Sequence, residues 1–457
     1  MTAENKNHLP RSDDGLIGFS IVVLLLAVPI AGTIVFGAVD PPTQGILALV
    51  IALIAVLWAV VSVRNGELRI SGSPIQLPLI GLIAIGCIQL LPLGDPGLEA
   101  GLISMAPASA LSIEPYATRL FVFRMVFYVV FLGAALVFLN SPKRIRGLLG
   151  ALVAFGAVMA VFGTLQRLAE PGAIYGLRPT PHAIPFASFV NQHHFASLMV
   201  MLSAPILALI LIGKVGRDKI PLLVIGLVLM LLAILFTGSR GAMVAYVGMS
   251  AFVVLASFTL RQTADGEREV VRTNKLTALS GATAFAAIVF GLAVFLGAGD
   301  GLFRGIAGPA EHVDITSGRL HFWKTGLRIF ADNPVLGTGL DTFSSAYPKY
   351  DTQSGYFRLE HAHNDYLQTM TDSGLLGLAC VIAFIVLIFR LTFRSVRGSK
   401  DVVQLSLAVG ALAGVFGCLI HSFFDFPLRT PSNGFVFLLL VAVAVNAVSV
   451  AANGREL

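Results

Sequence analysis

Charge is scarce in this chain: Asp, Glu, Lys and Arg together make up 12% of 457 residues, about half the share of an ordinary water-soluble domain. Cysteine is scarcer still. Cys87, Cys380 and Cys418 stand far apart, each inside an apolar run, which excludes a disulfide framework or a cysteine metal site and leaves them as small core residues. Paired carboxylates are missing as well. No Asp-x-Asp stands in the segments assigned below to the outer side, and no His or Cys pair has the spacing of a zinc signature. The N-terminus lacks a small-residue cleavage site after a short apolar core, so the stretch from Leu16 to Gly37 is expected to be a retained first span.

What is present is apolar. Hydrophobic residues make up 56% of the chain and the mean hydropathy is +0.85, more apolar surface than a water-soluble globule of this length could bury. The fold class expected is therefore an all-α polytopic membrane protein. Windows of about 20 apolar residues fall near 16–37, 43–63, 76–92, 119–139, 147–168, 194–213, 219–237, 242–260, 276–298, 374–396, 403–421 and 433–452, giving about twelve spans. An even number puts both termini on one side. Short segments on that side hold nineteen Lys and Arg residues, against only Arg178, Arg240 and Arg429 in the short loops opposite, a bias that places both termini in the cytoplasm. Residues 299–373 form a long outer loop between spans nine and ten, and loops that long translocate largely regardless of charge. The charged linker RQTADGEREVVRTNK, from Arg261 to Lys275, is a solvated connector. The net charge of +6 then reflects topology and contact with the lipid bilayer, with no nucleic-acid partner implied.

Four outer segments carry residue types that are expensive beside a bilayer. GLRPTPHAIPFASFVNQHHFA holds Arg178, His182, Asn191, His193 and His194, and its prolines at 179, 181 and 185 exclude a regular helix. TGSRGAM turns the chain between spans seven and eight, and its Arg240 either snorkels to the interface or faces an anionic ligand. In the long loop, ITSGRLHFWKTGLRIFADNP offers Ser317 as an N-cap and Leu320, Trp323, Leu327 and Phe330 at helical spacing. An amphipathic helix lying in the interface is expected there, stopped by Asn333-Pro334. The same loop ends in EHAHNDYLQTMTDSGLLGL, which passes without a break from polar residues into a membrane span. The fourth segment, HSFFDFPLRTPSNG, carries His421, Asp425 and Arg429.

Arginines and a histidine at the outer mouth of a helical bundle suit a substrate with a membrane-embedded tail and a phosphate head, because guanidinium binds phosphate bidentately and stays charged. Arg178, Arg240 and Arg319 come from three different segments and are expected to converge on one diphosphate, with His363 taking a proton from an incoming hydroxyl. Glu360 or Asp365 would orient His363, or cap the helix it enters. The histidine also has a plainer reading as an interfacial or capping residue, and His361/His363 with His193/His194 have one as metal ligands. Gly374 and Gly377 could simply pack helices closely. A multi-pass transporter or flippase of a lipid-linked or polysaccharide substrate is the alternative, disfavoured because the spans are nearly free of ionisable residues.

Taken together, these motifs resemble the O-antigen ligase and polymerase family of membrane glycosyltransferases over roughly residues 175–435. His363-Asn364 followed after nine intervening residues by Gly374 and Gly377 is similar to its His-Asn-x9-Gly-x-x-Gly element. SGRLHFWKTGLRIFADNPVLGTGLDTF looks like its long periplasmic loop, TGSRGA like its arginine-bearing turn, and NQHHFA like its Asn-x-(Asn/His)-x-x-Ala. The resemblance implies a GT-C-like enzyme of the bacterial inner membrane with no cofactor and no metal. It would transfer a glycan from undecaprenyl diphosphate to an acceptor hydroxyl at the periplasmic face, with inversion. The acceptor would be another glycan or lipid A core. By position, His363 matches the essential histidine and Arg240 the arginine that contacts the diphosphate. Arg178, Arg319, Asn364, His193 and His361 are the expected substrate-binding residues.

Overall fold

The computed structural model describes residues 15–93, 110–169, 173–181, 183–213, 215–262, 318–353, 359–397, 399 and 401–453. The expected ninth span, 276–298, and the expected cap Ser317 lie outside the described residues, as does His182. The remainder is almost entirely helical: α1 (Gly15–Ile34), α2 (Pro41–Asn65), α3 (Leu77–Gln89), α4 (Pro115–Phe138), α5 (Pro142–Ala169), α6 (Gln192–Leu211), α7 (Ile220–Phe236) and α8 (Arg240–Gln262), then α9 (Arg319–Asp332), α10 (Phe343–Tyr350), α11 (Asp365–Val396), α12 (Val402–His421) and α13 (Pro431–Asn453). Among the described residues nine of these are long and apolar enough to cross a membrane, and α3 with its lead-in and α7 are shorter apolar helices. The chain is a polytopic all-α membrane protein.

Local chemistry sets the helix starts. Proline opens α2, α4, α5 and α13, at positions where its missing N–H costs nothing. Side chains of Asn191, Asn364 and Asp401 accept the first free N–H groups of α6, α11 and α12, the usual work of an N-cap. Between α5 and α6 the proline-rich segment is irregular, with Ala173–Ile174 paired antiparallel to Arg178–Pro179 and Phe186 bridged to Phe189.

The centre of the bundle is α6, α12 and α13, which are buried over most of their length, whereas α2, α8 and α11 present much of their surface outward. α12 packs against α6, α8 and α13. It approaches them closely because its facing positions are glycines: a Cβ at 410 would meet Pro205 Cα at 2.7 Å, and one at 414 the Met201 carbonyl at 2.6 Å. Lipid offers no hydrophobic drive between helices, so close backbone contact of this kind supplies the packing energy.

α11 is not continuous. At Gly374 the backbone turns to φ 62, ψ −159, and the loop 333–342 takes over its hydrogen bonds. Leu375 N donates to Pro334 O at 2.8 Å, Thr338 N to Thr371 O at 2.9 Å and Gly339 N to Asp372 O at 3.1 Å. Gln89 of α3 closes the join, donating to Leu336 O (2.6 Å) and Asp372 O (2.8 Å) while its own carbonyl accepts Leu340 N (2.9 Å). Beside it Arg429 pairs with Asp341 and, at 3.0 Å, with Asp372, and Arg124 reaches Asp341 at 2.8 Å. Burial alone would raise the Asp341 carboxyl, but Arg429 and Arg124 hold it at about 2. Gly374, the first glycine of the sequence motif, is therefore more than a packing feature.

Two other expectations change. α9 forms and ends at Asn333 as expected, but the residues it buries are Phe322, Thr325, Gly326 and Ile329. Leu320 and Leu327, read as its apolar face, are exposed. The helix has a second apolar stripe, and that is the one set against α11, where Gly326 lies beside Leu367. The cysteines are free thiols, but only Cys418 is a core residue; Cys87 is exposed.

Replacing Gly374 tests the join. A Cβ there would strike the Val335 carbonyl, and the backbone conformation is one that side chains resist. Gly374→Ala is expected to cost at least about 3 kcal/mol, read as a lowered melting temperature or loss of monodisperse protein in detergent.

Candidate active site

Helix termini that alternate in direction meet at one end of the bundle. The C-terminal ends of α5, α7 and α12 and the N-terminal ends of α6 and α8 surround a cavity of about 480 Å³. Arg167, His193, Arg240, Arg319, His363 and His421 line it, with Phe236, Phe424 and Asp425.

Each side chain is placed by its own local structure. In the turn before α8, Thr237 Oγ1 donates to Ile234 O at 2.6 Å, and Ser239 Oγ accepts Ala242 N at 3.3 Å. Arg240 is therefore the first residue of α8 and not part of the turn, so its guanidinium shares the pocket with the positive end of a helix dipole. His363 precedes the cap of α11 in a left-handed conformation, φ 50, a region uncommon outside glycine and typical of functional positions. The conformation is held by Asp365, whose N–H donates to Ser422 O and whose Oδ2 accepts Ser422 Oγ, both at 2.9 Å. These bonds tie the entry to α11 onto the turn after α12.

That turn supplies Asp425, buried to 1% exposure. Its Oδ2 accepts Arg319 Nη2 at 3.2 Å; its Oδ1 accepts Phe426 N at 2.9 Å and lies 3.4 Å from His363 Nδ1 and 3.7 Å from His194 Nε2. The other nitrogen of His194 is engaged by Thr430 Oγ1 at 2.6 Å. Burial would raise the Asp425 carboxyl, but the imidazoles of His194 and His363, with His193, hold it well below the usual carboxylate range. Asp425 is thus an anion at any working pH. Neither His363 Nδ1 nor His194 Nε2 has a hydrogen-bond partner among the described residues, so both imidazoles approach the carboxylate electrostatically, without a closed bond.

The structure brings together four of the residues expected from sequence, Arg240, Arg319, His363 and His193. The other three stand elsewhere. Arg178 forms a bidentate pair with Asp40 at 2.6 and 3.1 Å, stacked 4.6 Å over Phe36, and does not line the cavity. Asn364 uses its side-chain oxygen to cap α11, accepting Tyr366 N and Leu367 N. His361 bonds Gln368 at 3.1 Å and stacks on Phe426 at 4.3 Å; burial, then Arg429, pushes it down to about 3, so it is neutral. The partner facing His363 is Asp425 and neither Glu360, which is exposed, nor Asp365, which holds Ser422. Arg167, His421 and Asp425 enter the cavity without having been singled out for it. Arg167 stands in the last turn of the apolar helix α5, and Asp425 is a lone carboxylate whose side-chain partners are 62 and more residues away. Among the described residues no three His, Cys, Asp or Glu side chains are grouped to hold a metal ion.

A model of the family described as O-antigen ligase matches residues 225–382 of the chain. That stretch includes Arg240, Arg319 and His363 and stops before Asp425. No curated protein matches the chain.

Because folding lowers the Asp425 pKa, the stability it contributes is full above the unfolded carboxylate value of about 3.9 and is lost as pH falls through the folded value. Asp425→Asn is expected to destabilise by roughly 3 kcal/mol, since it leaves Arg319 beside a neutral group. The gap between wild-type and variant melting curves in detergent should stay level from about pH 5 to 8 and close below about pH 4. A gap that widens on acidification would contradict this assignment.

Proposed function

From the premise that the chain belongs to the O-antigen ligase family through residues 225–382, we propose that it transfers a glycan from undecaprenyl diphosphate to an acceptor hydroxyl at the periplasmic face of the bacterial inner membrane. The carrying observation is the meeting of Arg240, Arg319 and His363 around ionised Asp425 in one cavity at the end of an apolar bundle. The bias of basic residues counted above supports reading this end as periplasmic and the termini as cytoplasmic.

The donor's diphosphate lies at the N-terminus of α8, against Arg240 and Arg319, with Arg167 beside them. His363 takes the acceptor proton on Nε2, with the Asp425 carboxylate 3.4 Å from Nδ1 favouring the tautomer protonated on that side. The acceptor oxygen attacks the anomeric carbon as its bond to the diphosphate breaks, so configuration inverts. The additional negative charge that the lipid diphosphate gains as it leaves is met by guanidinium groups and helix-end N–H groups already in place, which is where catalysis by electrostatic preorganisation has its largest effect. Asp425 keeps Arg319 oriented and stabilises the imidazolium that forms on His363. The acceptor is a second glycan or lipid A core.

Transfer is read by incubating purified protein in detergent with a lipid-linked glycan donor and an acceptor, where bond formation needs no sealed compartment. His363→Ala and Arg240→Ala are each expected to slow it by about 10²-fold or more, with protein level in the membrane unchanged. Wild-type rates from both would overturn the proposal. With no metal in the scheme, a chelator such as EDTA is expected to leave turnover unchanged; loss in chelator with recovery on adding a divalent cation would remove that part.

A further inference from the structure

His421 lines the cavity and has no part in the scheme above. It is the last residue of α12 and 1% exposed, and both Nδ1 and Nε2 are buried with no hydrogen-bond partner among the described residues. Its backbone is fully engaged, the carbonyl accepting Phe424 N at 2.8 Å and Asp425 N at 3.1 Å, so only the ring is uncommitted. The carboxylate of Asp425, bound to Arg319 and flanked by His363 and His194, forms no ion pair with it. A buried polar group left without a partner is costly, and each such group in a native fold calls for a reason.

The surroundings of the ring suggest one. His421 and Phe424 close over Gly241, where a Cβ would lie 2.8 Å from Phe424 Cβ and 3.1 Å from His421 Cδ2. Phe236 and Thr237 line the same cavity. This corner is aromatic, next to Arg240 but without a cation of its own. Turning the imidazole about its broad χ2 torsion presents either nitrogen to the cavity. A neutral imidazole offers one donor and one acceptor, which is what a hydroxyl needs. A phosphate only accepts, and the arginines already serve it.

We propose that His421 receives a hydroxyl of the glycan carried on the diphosphate, so that it distinguishes a sugar-bearing donor from the bare lipid diphosphate. This rests on the cavity being the donor site. It makes His421 a specificity residue with no part in proton transfer.

Two probes test it on the purified full chain: a polyprenyl diphosphate alone, and the same lipid carrying one N-acetylhexosamine. Wild type is expected to bind the sugar-bearing probe more tightly. His421→Phe, which keeps a ring and removes both nitrogens, should lose about tenfold in affinity for that probe and bind the bare lipid as wild type does. His421→Gln, retaining a donor and an acceptor, should restore most of the preference; His421→Leu gives the same comparison should the Phe variant not fold. An unchanged preference in the apolar variants, or equal weakening of both probes, overturns the inference and leaves the donor site standing. Wild type that binds neither probe, or Arg240→Ala that binds both normally, refutes the donor site itself and the inference with it.

Discussion

One buried negative charge organises this protein's working end. Removing a carboxylate from water costs several kcal/mol unless its surroundings replace the lost solvation, and among the described residues Asp425 is met by Arg319 from α9, His363 from the entry to α11, His194 from α6 and a neighbouring backbone N–H. Its charge therefore sets where three otherwise unrelated elements must stop relative to one another. Two of these groups, Arg319 and His363, also line the cavity with Asp425 itself.

A second charged cluster lies alongside, with Arg429, Arg124, Asp341 and Asp372 paired and Gln89 bridging. These groups make no contact with the cavity. Their effect is to pin the segment 427–429 and the loop 333–342, and so to fix the flanks of both Asp425 and Arg319. Ion pairs this well buried contribute little net stability, but leaving one member unpaired is costly, so they act as alignment pins.

Much of this was legible from sequence. Spans among the described residues follow from apolar windows, and the end of α9 from Asn333-Pro334. The residues noted in TGSRGA, SGRL and HAHND include Arg240, Arg319 and His363, which share one cavity. What sequence could not supply was long-range pairing. Arg178 has Asp40 as its partner, and Asp425 has no spacing pattern that marks it as a hub. Gly374 reads as ordinary close packing until the loop that replaces its hydrogen bonds is seen. The buried face of α9 was missed because the helix has two apolar stripes, and periodicity cannot say which of them the protein covers.

The break at Gly374 has a mechanical consequence. Since the first turns of α11 share their hydrogen bonds with the loop that follows directly from α9, the segments bearing Arg319 and His363 form a single bracket, riveted at Thr371, Asp372 and Leu375. Arg240 is mounted separately, on α8. The cavity is thus bounded by two parts: a bracket that carries Arg319 and the imidazole, and the start of α8, which carries Arg240.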